Sequence, residues 1–248
     1  MTSAPYYQED LAWVHHAGYG HLAERSAPGI LALLEEANVR PGASVLEVGC
    51  GSGRLARALA DAGYAVLGLD ASAAMVELAR KHAPRARFEM RRLPTQRNPG
   101  APGGLPIADA VVSTGHVLNY LEAADLRAAL RELAAAVRPG GLLALDLMTE
   151  RFAERHARCD CHARVEEDWA VFTRDFRPGP RLLERHITTF RRVGDHWRRD
   201  DEVHRNTTCE AMDALFILRA GGVDAEEREG FGEEAMLEGL VVLVGVRR

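Results

Sequence analysis

Glu47, Gly49, Gly51 and Gly53 take alternate positions in VLEVGCGSG, where an apolar run from Val45 ends. Glycines so spaced let the chain turn tightly and let backbone N–H groups approach a ligand, as in loops that seat a nucleotide at a helix N-terminus. A carboxylate two residues ahead of the first glycine narrows the choice of ligand. It repels a diphosphate and attracts a cation. A second acid, Asp70, ends the next apolar run, where it could accept hydrogen bonds from ribose hydroxyls. Gly51-x-Gly53-x-x-Ala56 also matches the GxGxxA dinucleotide pattern, so an NAD-type oxidoreductase is the alternative. That match starts three residues past Val48, whereas Gly49 follows Val48 directly.

The elements that must hold these groups follow from hydrophobic periodicity. Residues 1–43 read as helical, with a helix start at Ser26 and Pro28, a stripe of Ile30, Leu31 and Leu34, and a stop at Pro41-Gly42. Strands are expected at 45–48, 65–69, 87–90, 110–112 and 142–147. Helices striped by Leu55, Ala56 and Leu59, by Met75, Leu78 and Ala79, and by Leu126, Leu130 and Leu133 alternate with them. Residues 94–107, rich in proline and glycine, form a long loop. Such βα repeats require a mainly parallel sheet with right-handed crossovers. Segments 168–176, 181–193 and 196–208 instead alternate polar and apolar, and Gly194-Asp195 suits a type II′ hairpin. A helix with Met212, Leu215 and Phe216 and an apolar strand over 240–246 close the chain.

The expected fold is α/β, a doubly wound, Rossmann-like, mainly parallel seven-stranded sheet with an antiparallel β-meander inserted after strand five. The expected division is an N-terminal helical lid over 1–43, a nucleotide-binding domain over 44–155 and 209–248, and an inserted subdomain over 156–208.

A net charge of −5 in 248 residues gives no basic footprint for a nucleic acid. No apolar run is long enough for a membrane helix, and the first ten residues do not read as a secretory signal. The expected setting is cytoplasmic, with the four cysteines as reduced thiols and the chain a monomer or homodimer. The run HARCDCH at 156–162 invites a zinc reading, but Cys159-x-Cys161 is too tight for a knuckle and has no second pair, so no metal is assigned.

The order E-x-G-x-G-x-G, an acid ending strand two and RPGG before strand five resembles the class I S-adenosylmethionine-dependent methyltransferases. The resemblance covers residues 12–150 and resumes at 209–248. It implies S-adenosylmethionine as cofactor and S-adenosylhomocysteine as product. Glu47, Gly49, Cys50, Gly51 and Gly53 would border the methionine half, and Asp70 with Ala71 the ribose. The family's acid after strand three is missing here, so Arg92 or the Leu93 backbone would meet the adenine. Residues 13–20, WVHHAGYG, look like the family's lid helix, and there His15 and Tyr19, spaced i to i+4, would face the cofactor carboxylate.

After strand four, Ser113-Thr114-Gly115-His116 replaces the tetrapeptide of methyltransferases that act on nucleic-acid bases or glutamine. GHVLNYL is similar to small-molecule enzymes, including bacterial sugar N-methyltransferases, so the expected acceptor is a small molecule methylated on N or O. A SAM-binding cyclase or regulatory binder is the further alternative. His116 is the candidate base, Ser113 a cofactor contact, and Tyr7, Asn119, Tyr120 and His204 candidate acceptor contacts. Tyr120 reads equally well as core packing. Arg185 and Glu202 could join the acceptor wall, although a solvated sheet face would explain them too.

Overall fold

The computed structural model describes residues 6–157 and 161–248. Strands β1 (Ser44–Val48), β2 (Ala65–Asp70), β3 (Arg87–Met90), β4 (Ala108–Ser113) and β5 (Val137–Met148) run parallel. Helices α1 (Glu9–Gly18) and α2 (His21–Glu36) precede them; α3 (Arg54–Asp61), α4 (Ala73–His82) and α5 (Ala123–Ala136) are the crossovers. After α6 (Glu150–His156), strands β6 (His162–Val165), β7 (Trp169–Gly179), β8 (Leu182–Val193) and β9 (His196–Thr207) form a separate antiparallel sheet. Helix α7 (Ala211–Ala220), β10 (Val223–Arg228) and β11 (Leu240–Arg247) return to the main sheet, whose order is β10-β11-β5-β4-β1-β2-β3.

Period-two alternation distributes the core to both faces of the main sheet. Val111, Leu143 and Leu145 pack with Leu130 and Leu133 of α5 and Leu218 of α7. Val112, Ala144 and Val242 pack on the other face with Ile30 and Leu34 of α2 and Leu55 and Leu59 of α3. The strand order reverses between β1 and β4, so a crevice opens there at the carboxyl ends. Glu47, Asp70 and the loop after β4 all stand at that end.

Several local expectations change. Pro28 lies inside α2 rather than at a helix start, because the buried stripe Ala27, Ile30 and Leu34 carries the helix through it. Arg138–Gly141 does not precede β5 but arches out of it: Ala108 pairs with Val137, and Ala110 with Leu142. Asp109 anchors the arch. Its carboxylate accepts the Ser44 hydroxyl and N–H and pairs with Arg138, and the Ser44 hydroxyl bond above all holds its pKa down at about 2. On α7, Met212 and Phe216 face outward and Ala211, Ala214, Leu215 and Leu218 face the core. The meander gains a fourth strand, β6, and the main sheet gains β10, whose VDAEER offers only two apolar residues as signal. In the β8–β9 turn Gly194 takes φ 60° and Asp195 does not, as a type II′ turn requires.

Candidate active site

Each strand end contributes a chemically distinct group. The N–H groups of Gly49 and Cys50 both donate to the Leu69 carbonyl, at 2.7 and 2.9 Å, which pins the glycine loop to the end of β2. The Gly51 N–H donates to Asp70 Oδ2 at 2.9 Å, and the Ser72 N–H donates to Oδ1 at 2.8 Å. Each Asp70 oxygen keeps acceptor capacity toward the crevice. Gly51 has φ 51°, and a Cβ there would meet nothing within 4 Å, so its bare backbone faces open space. A Cβ on Gly49 would strike Val117 at 2.4 Å.

Glu47 is 2% exposed, and its Oε2 has no partner. Burial, reinforced by Asp70, raises its carboxyl from 4.5 to about 8. Burial also raises Asp70, against its backbone hydrogen bonds, and keeps the Cys50 thiol protonated. A buried acid with an orphaned oxygen beside a second, half-buried acid is a site for a positive charge.

A cavity of about 540 Å3 joins these groups to α1 and the inserted sheet. Glu47, Gly49, Cys50, Gly51 and Asp70 form its floor, and Tyr7, His15, Tyr19, His116 and Tyr120 its sides. An adjoining slot of about 150 Å3 is bordered by Asp70, Ala71, Arg92 and Leu93, with Leu69 and Val117 as apolar walls. Helix α1 is clasped over the crevice. Asp10 pairs with Arg191 at 3.1 Å and with Arg198, Val14 packs on Trp169 and Val171, and the Ser72 hydroxyl donates to the Tyr7 carbonyl at 2.7 Å.

Four expected contacts border neither space. Gly53 caps α3, where a Cβ would press on Ala79 at 3.0 Å. Ser113 is fully buried within the sheet. Asn119 is fully buried too, and its amide is consumed by structure: it donates to the Met148 and Thr207 carbonyls and accepts the Met148 N–H. His204 lies behind Tyr120, hydrogen-bonded to Glu202 at 2.7 Å.

His116 does line the crevice, in the left-handed region (φ 46°), held by its N–H on Asp146 at 2.7 Å. Its Nδ1 is unpartnered. Burial, then Arg185, lowers its pKa to about 3, so it is a neutral hydrogen-bond acceptor near pH 7.

The sequence did not mark Asp175. It sits directly opposite Arg185 in the β7–β8 register, their charged atoms 3.5 Å apart, and both line the crevice. Its only signal was the inward alternation of Val171, Thr173 and Asp175. His156 and His162, considered only as metal ligands, border the same space; Cys159 lies outside the described residues.

A doubly wound sheet with paired carboxylates at its switch point, an open glycine bend and an apolar slot defines a Rossmann-like protein for a nucleoside bearing positive charge. The family model described as a methyltransferase domain matches residues 45–141. A provisionally named methyltransferase of Geobacillus sp. (strain WCH70) is 28% identical over 201 residues, 78% of this chain and 79% of that protein. A sugar N-methyltransferase from Streptoalloteichus sp. superposes with a TM-score of 0.76 at 20% identity, covering 100% of this chain and 97% of that one. An amino pentose methyltransferase from Micromonospora echinaspora, solved with SAM bound, gives 0.72 at 24% identity, covering 100% of both chains. Residues 45–141 are thus a methyltransferase domain, with S-adenosylmethionine as its cofactor.

Proposed function

We propose that this enzyme methylates a nitrogen or oxygen of a small-molecule acceptor bound between the crevice floor and the inserted sheet. One observation carries the reading: a single cavity runs from Glu47 and Asp70 to Asp175 and Arg185. That is room for a cofactor at one end and a polar small molecule at the other. The relatives named for amino-sugar acceptors share the inserted-sheet fold, which supports a small acceptor here.

When bound, the cofactor supplies a methyl carbon already activated by positive sulfur, so the protein's work is alignment and exclusion of water. Glu47 would face the sulfonium, which would restore its charge, and Asp70 would accept the ribose hydroxyls. Arg92 and the Leu93 backbone would hold the adenine, and His15 and Tyr19 would cover the methionine end from α1 and its C-terminus. His116 accepts an acceptor O–H or N–H at Nδ1 and orients it. Asp175 and Arg185 grip the acceptor's polar groups.

Turnover of methyl-labelled cofactor against a panel of amino sugars, sugar nucleotides and phenols tests this reading. Label should move to a small acceptor, and His116→Ala should lower kcat/KM roughly tenfold, as loss of one orienting bond would. Transfer to nucleic acid or protein alone would reject it.

A further inference from the structure

We propose that Glu202, His204 and Tyr120 form a proton relay that ends at the Tyr7 hydroxyl and makes that oxygen the proton acceptor for the methylated group. The proposal rests on the acceptor reading above, and it adds a proton acceptor on the cavity wall to the neutral imidazole of His116.

Hydrogen-bond donors fix the direction of the relay. Glu202 is buried, and its carboxylate receives the Tyr7 N–H at 2.7 Å, the Gln8 N–H at 2.8 Å and His204 Nε2 at 2.7 Å. Backbone N–H groups can only donate, so Glu202 is held as an acceptor and the His204 proton sits on Nε2. Nδ1 then carries a lone pair, and it faces the Tyr120 hydroxyl at 3.3 Å. Tyr120 has one hydrogen, which goes to Nδ1, so its 3.0 Å contact with Tyr7 makes Tyr7 the donor. The Tyr7 hydrogen is thereby committed. Tyr7 lines both the crevice and the adjoining slot, and its hydroxyl oxygen can then only accept from a bound molecule.

The transfer balances. The acceptor's N–H or O–H proton moves to Tyr7 as the new methyl bond forms, the Tyr7 proton passes to Tyr120, and the Tyr120 proton passes to His204 Nδ1. The resulting imidazolium is compensated by Glu202 and enclosed by Tyr6, Tyr7 and Tyr120, whose rings lie 4.7, 4.9 and 5.5 Å from it. Reversal after product release returns the proton through Tyr7 to solvent. Because Glu202 also holds the Tyr7 and Gln8 amides, the relay is complete only when the N-terminal segment is down over the site.

Tyr120→Phe removes a single oxygen from the chain and is the direct test. kcat should fall about a hundredfold, while KM for the cofactor stays within about twofold. Tyr7→Phe should cost as much, and the double variant no more than either single, since links in one chain are not independent. Nitrogen-15 NMR of the full-length protein reads the wiring without turnover: His204 should carry its proton on Nε2, and its Nδ1 shift should move in Tyr120→Phe. A proton on Nδ1, Tyr120→Phe at wild-type kcat, or losses that multiply in the double variant would overturn the relay. No transfer by the wild-type protein would instead defeat the acceptor reading, and the tautomer would still decide the relay.

Discussion

Glu47 concentrates the site's electrostatics in one carboxyl. Its folded-state pKa of about 8, against an ordinary 4.5, means the free protein keeps a proton that the unfolded chain has lost across that interval. The stability this contributes is full below pH 4.5 and is lost as pH rises to about 8. Glu47→Gln should therefore flatten thermal stability across that window, which melting curves from pH 4 to 9 will show. A cationic ligand favours the ionised form, so cofactor binding should release protons near pH 7 and tighten as pH rises toward 8. Calorimetry in buffers of different ionisation enthalpy measures the release, and Glu47→Gln should abolish its share. The two glycines separate function from packing. Gly51→Ala should fold, with about 1 kcal/mol of backbone strain, and lose cofactor affinity because its Cβ enters the ligand's space. Gly49→Ala should lose stability because of Val117.

At the level of elements, the 3-10 turn at Val117–Tyr120 is fixed by Asn119, which ties it to β5 and β9. Asn119→Ala leaves the Met148 N–H without its acceptor and takes a donor from the Met148 and Thr207 carbonyls, the first of which keeps the Cys209 N–H, and should cost about 1–3 kcal/mol, read by denaturant titration. Helix α1 is anchored to the inserted sheet by Asp10 on Arg191 and Arg198. Asp10→Ala should weaken cofactor binding roughly fivefold, about 1 kcal/mol, because His15 and Tyr19 ride on that helix. These anchors explain what could and could not be read from the chain. The floor was legible, since Glu47, Gly49, Gly51 and Asp70 lie within 24 residues and their spacing follows one strand–loop–helix–strand unit. Asn119, His204 and Asp175 were not. Whether a polar side chain meets solvent, ligand or a buried group depends on tertiary partners: Met148 for Asn119, 29 residues away, Tyr120 for His204, 84 residues away, and Arg185 across the β7–β8 register for Asp175. Met212 and Phe216 misled for the same reason: the core face of α7 is chosen by its packing on α5, and Ala211, Ala214, Leu215 and Leu218 occupy it.

For the whole molecule, the main sheet holds the cofactor groups and the inserted sheet holds the far wall of the same cavity. The two should be separable by mutation. Arg185→Ala or Asp175→Asn should raise the acceptor KM tenfold or more while leaving the affinity for S-adenosylhomocysteine within about twofold, as steady-state kinetics beside calorimetry would show. The main-sheet topology followed from its βα repeats. The inserted sheet followed from period-two alternation, although β6 and β10, short or weakly apolar, did not announce themselves. Buried Glu47 and half-buried Asp70, at neighbouring strand ends, are proposed to hold an adenosyl sulfonium beside an open glycine bend. A crystal structure of the complex with S-adenosylhomocysteine is the decisive measurement. Both ribose hydroxyls should lie on Asp70, and the sulfur within the space bounded by Glu47, Gly51 and Tyr7. A nucleoside bound elsewhere, or Asp70 making no contact with its ribose, would contradict this placement.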